Sequence, residues 1–221
     1  MVEIYAVQAT KEYEIFYFDR MYPYINSERR KHINSFLHIE DALRSLAGEW
    51  LTRSVLSEKL HLDLYEIMID YGKNGKPFYN STSGPHFNIS HSGNWSVCAV
   101  SALPVGVDVE MSQPIDLDIA RDCFTEKEFK TMTCIADKAE QLDYFYTIWT
   151  IKESYLKAIG AGFSIAPDSF GASMNNHQIL LTGDVERGYS LKQYDFDNGY
   201  KLCACSLDTQ FSNDIKIRIP E

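Results

Sequence analysis

The sequence predicts an α+β protein of two halves, each with one long helix packed on a small, mostly antiparallel sheet. Three observations carry this. Apolar residues recur at helical spacing in two long segments, Glu40 to Leu60 and Ala139 to Ile159. Short apolar or alternating runs separated by turn residues follow each segment. The order of helix then strands repeats on either side of a seam at Leu103-Pro104, so residues 1–103 and 104–221 are expected to form the two halves. A chain of 221 residues can build one compact unit or two intimate halves. Its 45% hydrophobic content, with 14 Tyr and 12 Phe, is enough for a core.

Val2 to Val7 reads as the first strand. Ser27 is placed to cap a helix running to Phe36, with Glu28 favourable in its first turn. In the helix from Glu40 to Leu60, Leu43, Leu46, Ala47, Trp50, Leu51 and Leu56 form the apolar face. A strand near Ile67 to Tyr71 enters the turn Gly72-Lys73-Asn74-Gly75-Lys76-Pro77. Strands at Phe87 to Ile89, Val97 to Ser101 and Val105 to Glu110 follow. Short helices around Leu117 to Cys123 and Glu126 to Thr133 lead to the helix from Ala139 to Ile159, which Gly160 stops. Strands near Gln178 to Thr182, Ser190 to Asp195, Lys201 to Ser206 and Lys216 to Ile219 complete the chain.

Charge and cysteine usage narrow the function. A formal net charge of −10 argues against a general nucleic-acid binder. Any acidic partner must be held by local basic or apolar patches, such as Arg29-Arg30-Lys31-His32. Five cysteines without a CxxC point to neither a disulfide framework nor a structural zinc site, and Cys203 and Cys205 read as small packing residues. No stretch approaches the ~20 apolar residues of a membrane helix. Met1-Val2-Glu3-Ile4-Tyr5 lacks the basic start of a signal peptide, so a cytoplasmic location without membrane contact is expected.

The candidate site lies on the strand Val105-Gly106-Val107-Asp108-Val109-Glu110. Alternation puts Asp108 and Glu110 on one face and the valines in the core. On the later helix, Trp149, Glu153 and Lys157 share a stripe, with Lys152 beside it. A solvated carboxylate strand and an ordinary surface ion pair would look the same in isolation. If strand and helix meet, three carboxylates and one or two ammonium groups converge. That set suits a hard cation such as Mg²⁺ holding a phosphorylated substrate. A third segment, Phe87-Asn88-Ile89-Ser90-His91-Ser92-Gly93, reads as a hydroxyl-rich turn after a strand, offering groups that bind phosphate. Ser90 beside His91 does not make a catalytic triad. Arg29, Arg30, His32, Arg44 and Lys76 matter only if the fold gathers them.

The combined order of NISHS, GVDVE and W-x-x-K-E-S-x-x-K resembles the 4′-phosphopantetheinyl transferase superfamily, in its larger two-half form. The resemblance spans nearly the whole chain, including Arg29 to His32, the helix from Glu40 to Arg53, Gly75-Lys76-Pro77 and Tyr144-Phe145-Tyr146. It implies a pseudo-dimer of the two halves with one active site between them. The implied reaction moves the phosphopantetheine arm of coenzyme A onto a serine of an apo acyl or peptidyl carrier protein and releases 3′,5′-ADP. Nonribosomal peptide or polyketide synthesis is the expected setting. By the same resemblance Asp108, Glu110 and Glu153 would bind Mg²⁺. Glu153, His91 and Lys157 would be catalytic, with Glu153 taking the serine proton directly or through a metal-held water. Coenzyme A, the substrate, would contact Arg29, His32, Arg44, Ser45, Lys76, Asn88, Ser90, His91, Asp108, Lys152 and Lys157. The segment Met111 to Phe124 reads either as a surface that docks the carrier through Ile115, Leu117, Ile119 and Phe124, or as a plain amphipathic core helix. A monomer is expected, because the two halves supply both sides of the site.

Two other readings fit the carboxylate cluster. One is a Mg²⁺-dependent nucleotide pyrophosphohydrolase, which needs no carrier. The other is a non-catalytic module that holds coenzyme A or a carrier domain.

Overall fold

The computed structural model describes residues 1–72, 75–81, 84–175 and 178–220. β1 (Val2–Gln8) leads into α1 (Glu14–Arg20), α2 (Ser27–Asn34) and α3 (Ile39–Leu60). Next come β2 (Ile69–Tyr71), β3 (Pro77–Tyr79), β4 (His86–Ser92), β5 (Trp95–Ser101) and β6 (Val105–Met111). Three helices follow: α4 (Ala120–Cys123), α5 (Glu126–Thr133) and α6 (Lys138–Ile159). The last strands are β7 (Phe170–Asn175), β8 (Gln178–Gly183), β9 (Ser190–Tyr194), β10 (Tyr200–Ser206) and β11 (Phe211–Arg218).

The two long helices form where the apolar spacing places them, and both have defined ends. At the start of α6 the Asp137 carboxylate accepts from the N–H groups of Ala139 and Glu140. Gly160 stops it in the left-handed region, at φ 70°. The last residue after α3, His61, takes a similar conformation at φ 56° despite its side chain.

Strand alternation explains the layers. One sheet has the order β11-β1-β5-β4 and a second the order β6-β10-β9. On β1, Tyr5 and Val7 join the core under α3, with Leu43, Leu46 and Leu51. Its Ile4 and Ala6 face the other way, into a core shared with Val97, Val107, Val109, Leu202 and Ala204. On β10 the alternate residues Cys203 and Cys205 pack toward α6. The order is therefore α3, first sheet, shared core, second sheet, α6. One edge of the first sheet is β11, which runs parallel to β1, and the other is β4.

Where β4 meets β6, side chains take over the work of a backbone ladder. Val107 N–H donates to Asn88 Oδ1 at 2.8 Å, Val109 N–H to Ser90 Oγ at 3.3 Å, and Met111 N–H to Ser92 Oγ at 3.1 Å. Each step of two on β4 matches a step of two on β6. Buried N–H groups need acceptors, and small polar side chains at alternate positions supply them.

Several expectations need correction. The cap of α2 is Asn26, which accepts from Arg29 N–H, and the helix ends at Asn34. The segment Phe87 to Gly93 is no turn: β4 continues through Ser92 because its backbone pairs with β5 as far as Trp95, leaving its hydroxyls to satisfy β6. Only Ala120–Cys123 of the helix expected at Leu117 is α-helical, after a 3-10 turn at Leu117–Ile119. β3 and β7 had no counterpart in the sequence reading. The last strand is longer than expected, because pairing with β1 extends it back to Phe211. Lys73 and Asn74 of the expected turn lie outside the described residues.

Candidate active site

The carboxylates of β6 face the stripe of α6. Asp108, 2% exposed, takes Lys157 Nζ at 2.6 Å and Ser90 Oγ at 3.0 Å, both on Oδ1. Glu110 accepts from Ser92 Oγ at 2.8 Å through Oε2, while Trp149 Nε1 lies 3.4 Å from Oε1. Ser90 and Ser92 therefore play the same part twice: each accepts a β6 N–H and donates to the carboxylate one residue earlier. Asp108, Glu110, Glu153 and Lys157 line a cavity of about 210 Å³ with Ser90, His91 and Trp149.

Strand and helix come this close because residue 106 is glycine. A Cβ there would overlap the Ser154 carbonyl oxygen and the Ala158 nitrogen on α6. The glycine thus sets how near Asp108 stands to Lys157.

The site is electrostatically loaded. Burial raises the pKa of Asp108, against the pull of Lys157 and Ser90. Burial raises Glu110 as well, and neighbouring Asp108 adds to it. Glu153 is pushed up by burial and by Asp108, while Lys157 pulls the other way. Burial works against the Lys157 charge, but Asp108, Glu153 and Glu110 outweigh it and hold its pKa above the ordinary lysine value.

A divalent cation would relieve this arrangement. Among the described residues Asp108 Oδ2 is buried with no hydrogen-bond partner, an expensive state unless a ligand takes it. Among the described residues no three His, Cys, Asp or Glu are already gathered into a coordination group. The donor chemistry nevertheless fits a hard, oxygen-preferring ion: the orphaned Oδ2, Glu110 and Glu153 all border one cavity.

A smaller cavity of about 150 Å³ adjoins on the α3 side, lined by Arg29, Ser45, Gly48, Tyr71, Gly75 and His91 among others. Arg29 donates to Ser45 Oγ at 2.7 Å and to Glu49 Oε1 at 3.1 Å. Tyr71 OH donates to the same Glu49 oxygen at 2.6 Å. Desolvation first, then Lys157, Arg44 and Arg29, bring the His91 pKa down to about 4. The ring is partly open to solvent, which weakens the desolvation share, yet all three cations act in the same direction. A mostly apolar cavity of about 600 Å³ opens on the other side, walled by Ile89, Cys123, Trp149, Leu156, Ile165 and Pro167.

The expected site residues thus divide. Asp108, Glu110, Glu153, Lys157, Ser90 and His91 come together around one cavity, and Arg29 and Ser45 border the next. Arg44 is paired with Asp41 and donates to Gly93 O at 2.9 Å. His32 stands exposed on α2, its ring edge-on to Phe36. Asn88 is 4% exposed and borders the cavity of about 600 Å³, while its carbonyl oxygen serves Val107 and holds β6.

Lys152 lines none of these three cavities. Its side chain is fully buried on the far side of α6, paired with Glu128 at 2.6 Å. It also donates to the carbonyls of Cys123, Pro167 and Phe170. Lys76 borders the cavity of about 600 Å³, yet its ammonium meets the carbonyls of Val105, Lys157 and Ala158. In the expected docking segment Phe124 is 3% exposed and belongs to the core, with Ile115 packed against the same cluster. Ile119 is half exposed, and the side chain of Leu117 lies outside the described residues. Sequence reasoning missed Ser92 and Glu49. The N-x-S-x-S alternation was the signal for the first, and nothing local marks the second.

Residues 104–216 match the family model described as the 4′-phosphopantetheinyl transferase superfamily. Residues 14–103 match a second model, described as 4′-phosphopantetheinyl transferase, N-terminal. The chain is 38% identical over 199 residues to the 4′-phosphopantetheinyl transferase Sfp of Bacillus subtilis (strain 168), covering 89% of this chain and 88% of that one. It is 34% identical over 222 residues to a 4′-phosphopantetheinyl transferase of Bacillus subtilis, covering 100% of this chain and 99% of the relative. The 4′-phosphopantetheinyl transferase gsp of Aneurinibacillus migulanus is 34% identical over 214 residues, covering 96% and 89%.

Proposed function

The chain belongs to the 4′-phosphopantetheinyl transferase superfamily, and on that premise we propose how its own residues carry the reaction. It transfers the 4′-phosphopantetheine group from coenzyme A to a serine of an apo acyl or peptidyl carrier protein, for nonribosomal peptide or polyketide synthesis. The serine oxygen forms a bond to the phosphorus that bears the pantetheine arm. The bond from that phosphorus to the bridging oxygen breaks, and 3′,5′-ADP leaves.

The observation that carries the reading is the buried, partnerless Asp108 Oδ2, beside Lys157 and in one cavity with Glu110 and Glu153. Asp108, Glu110 and Glu153 would hold Mg²⁺, which supplies charge neutralisation for the pyrophosphate. Lys157 stays protonated and adds a fixed positive charge where the leaving group develops negative charge. Glu153 takes the serine proton. Burial and the Asp108 charge raise its pKa in the metal-free site, and a bound cation would oppose that shift. Ser90 and Ser92 hold the β6 carboxylates in place. His91, uncharged near neutral pH, offers the substrate phosphates a neutral hydrogen bond. Arg29 and Ser45 face the same side, and Arg44 stands nearby as a cation toward His91.

Two halves, residues 1–103 and 104–221, form the working unit in this account. Its support is the pair of 22-residue helices α3 and α6, one per half. A monomer is then sufficient, acting in the cytoplasm where coenzyme A and carrier proteins meet. Among the described residues no helix is long and apolar enough to cross a membrane.

The test incubates the protein with coenzyme A and Mg²⁺, with and without an apo peptidyl carrier protein, and weighs the intact carrier. The carrier gains one phosphopantetheine arm. Breakdown of coenzyme A without carrier would favour a pyrophosphohydrolase. Binding of coenzyme A without turnover on several carriers would favour a non-catalytic module.

A further inference from the structure

A lysine ammonium has three N–H donors, and the fold gives those of Lys76 three carbonyl acceptors. Nζ donates to the carbonyl oxygens of Lys157 at 2.5 Å, Val105 at 3.1 Å and Ala158 at 3.2 Å. Two of these belong to the last turn of α6, whose carbonyls lack partners within the helix and form its negative end. The third opens β6. The side-chain stem passes the left-handed stop at Gly160, coming within 3.8 Å of where a Cβ would stand. Gly106, where β6 lies too near the α6 backbone to leave room for a Cβ, follows Val105 directly. One ammonium therefore ties the β2–β3 turn, the end of α6 and the start of β6 at the place where their spacing is set. Asp108 lies three residues from one anchor, Lys157 is itself another, and Glu153 is one helical turn before it.

We propose that Lys76 is a positioning residue of the transfer reaction: it fixes β6 against α6, and so Asp108 against Lys157 and Glu153, without touching the 3′-phosphate of coenzyme A. This rests on the function proposed above. With its donors engaged by carbonyls, the ammonium has none left for a phosphate. Gly75 and Pro77 beside it line the cavities on both sides, and Lys76 itself borders the larger one while its ammonium stays on the carbonyls.

The test compares wild type, Lys76→Met and Lys76→Arg, each first shown to be folded by circular dichroism and urea unfolding. Steady-state transfer to an apo carrier is measured with coenzyme A and with 3′-dephospho-coenzyme A. Lys76→Met loses ~10-fold or more in kcat, as misplaced catalytic groups do, while the KM for coenzyme A moves by less than about 3-fold. The preference for coenzyme A over the dephospho form stays at the wild-type value. Lys76→Arg behaves the same way, because a planar fork cannot reproduce contacts to three converging carbonyls. It also serves alone if Lys76→Met does not fold. Loss of the preference would make Lys76 a 3′-phosphate ligand, and wild-type kcat in either variant would remove the positioning role. Absence of transfer by the wild type on every carrier would overturn the assigned reaction instead, whatever the variants do.

Discussion

At the scale of single residues, the site trades stability for function. Glu110 is held above its ordinary pKa by burial and by the charge of Asp108. Such a group binds its proton more tightly when folded, so its contribution to stability is present at low pH and lost as pH rises through the raised value. Glu110→Gln keeps an acceptor for Ser92 and removes the charge. Without divalent cation the variant melts with the wild type at acid pH and above it at pH 7. Mg²⁺ then raises the melting temperature of the wild type and not of the variant. An unchanged Mg²⁺ shift in Glu110→Gln, read by scanning calorimetry, would remove Glu110 from the cation's ligands. His91 allows a second check. Its NMR titration midpoint falls below the ordinary histidine value, and 3′,5′-ADP moves it upward, because a nearby anion favours the imidazolium. A midpoint that ignores the ligand would place the phosphates elsewhere.

At the scale of elements, a strand and a helix must meet at a set distance. Gly106→Ala pushes a methyl group into α6 backbone at Ser154 and Ala158. Overpacking of this kind costs about 1–3 kcal/mol, and here backbone must move to relieve it. The variant unfolds at lower urea and loses activity beyond what the stability change explains. Wild-type kcat in a folded Gly106→Ala would mean that the spacing of β6 and α6 is not critical. Lys152 illustrates the opposite face of α6. Adjacent helical residues point about 100° apart, and Lys152 turns to Glu128 while Glu153 borders the site. Lys152→Met leaves Glu128 buried without its ion partner, which costs about 3–5 kcal/mol. The coenzyme A affinity of the folded fraction is unchanged. A selective loss of that affinity, with stability kept, would return Lys152 to the ligand-binding group.

At the scale of the whole molecule, the parts legible in the sequence were those set by periodicity. The spacing of apolar residues placed α3 and α6 almost to the residue, and the valine alternation of β6 gave the facing carboxylates. Long-range pairing was hidden. Asn88, Ser90 and Ser92 read as a polar turn because their acceptors serve N–H groups 19 residues away. β11 was cut short for the same reason, since its length comes from β1 at the other end of the chain. Lys76 and Lys152 read as free cations, although carbonyls and a carboxylate remote in sequence engage them. Both halves of the chain contribute to the site that results: His91 and Ser90 from one, the carboxylates and Lys157 from the other. The most direct test of this convergence is single-turnover transfer to an apo carrier, followed by intact mass, for wild type and Glu153→Gln with Mg²⁺ or EDTA. The account predicts transfer by wild type with Mg²⁺ alone, and a loss of ~10²-fold or more in the variant, as for removal of a general base. Full transfer by Glu153→Gln, or by wild type in EDTA, would contradict it.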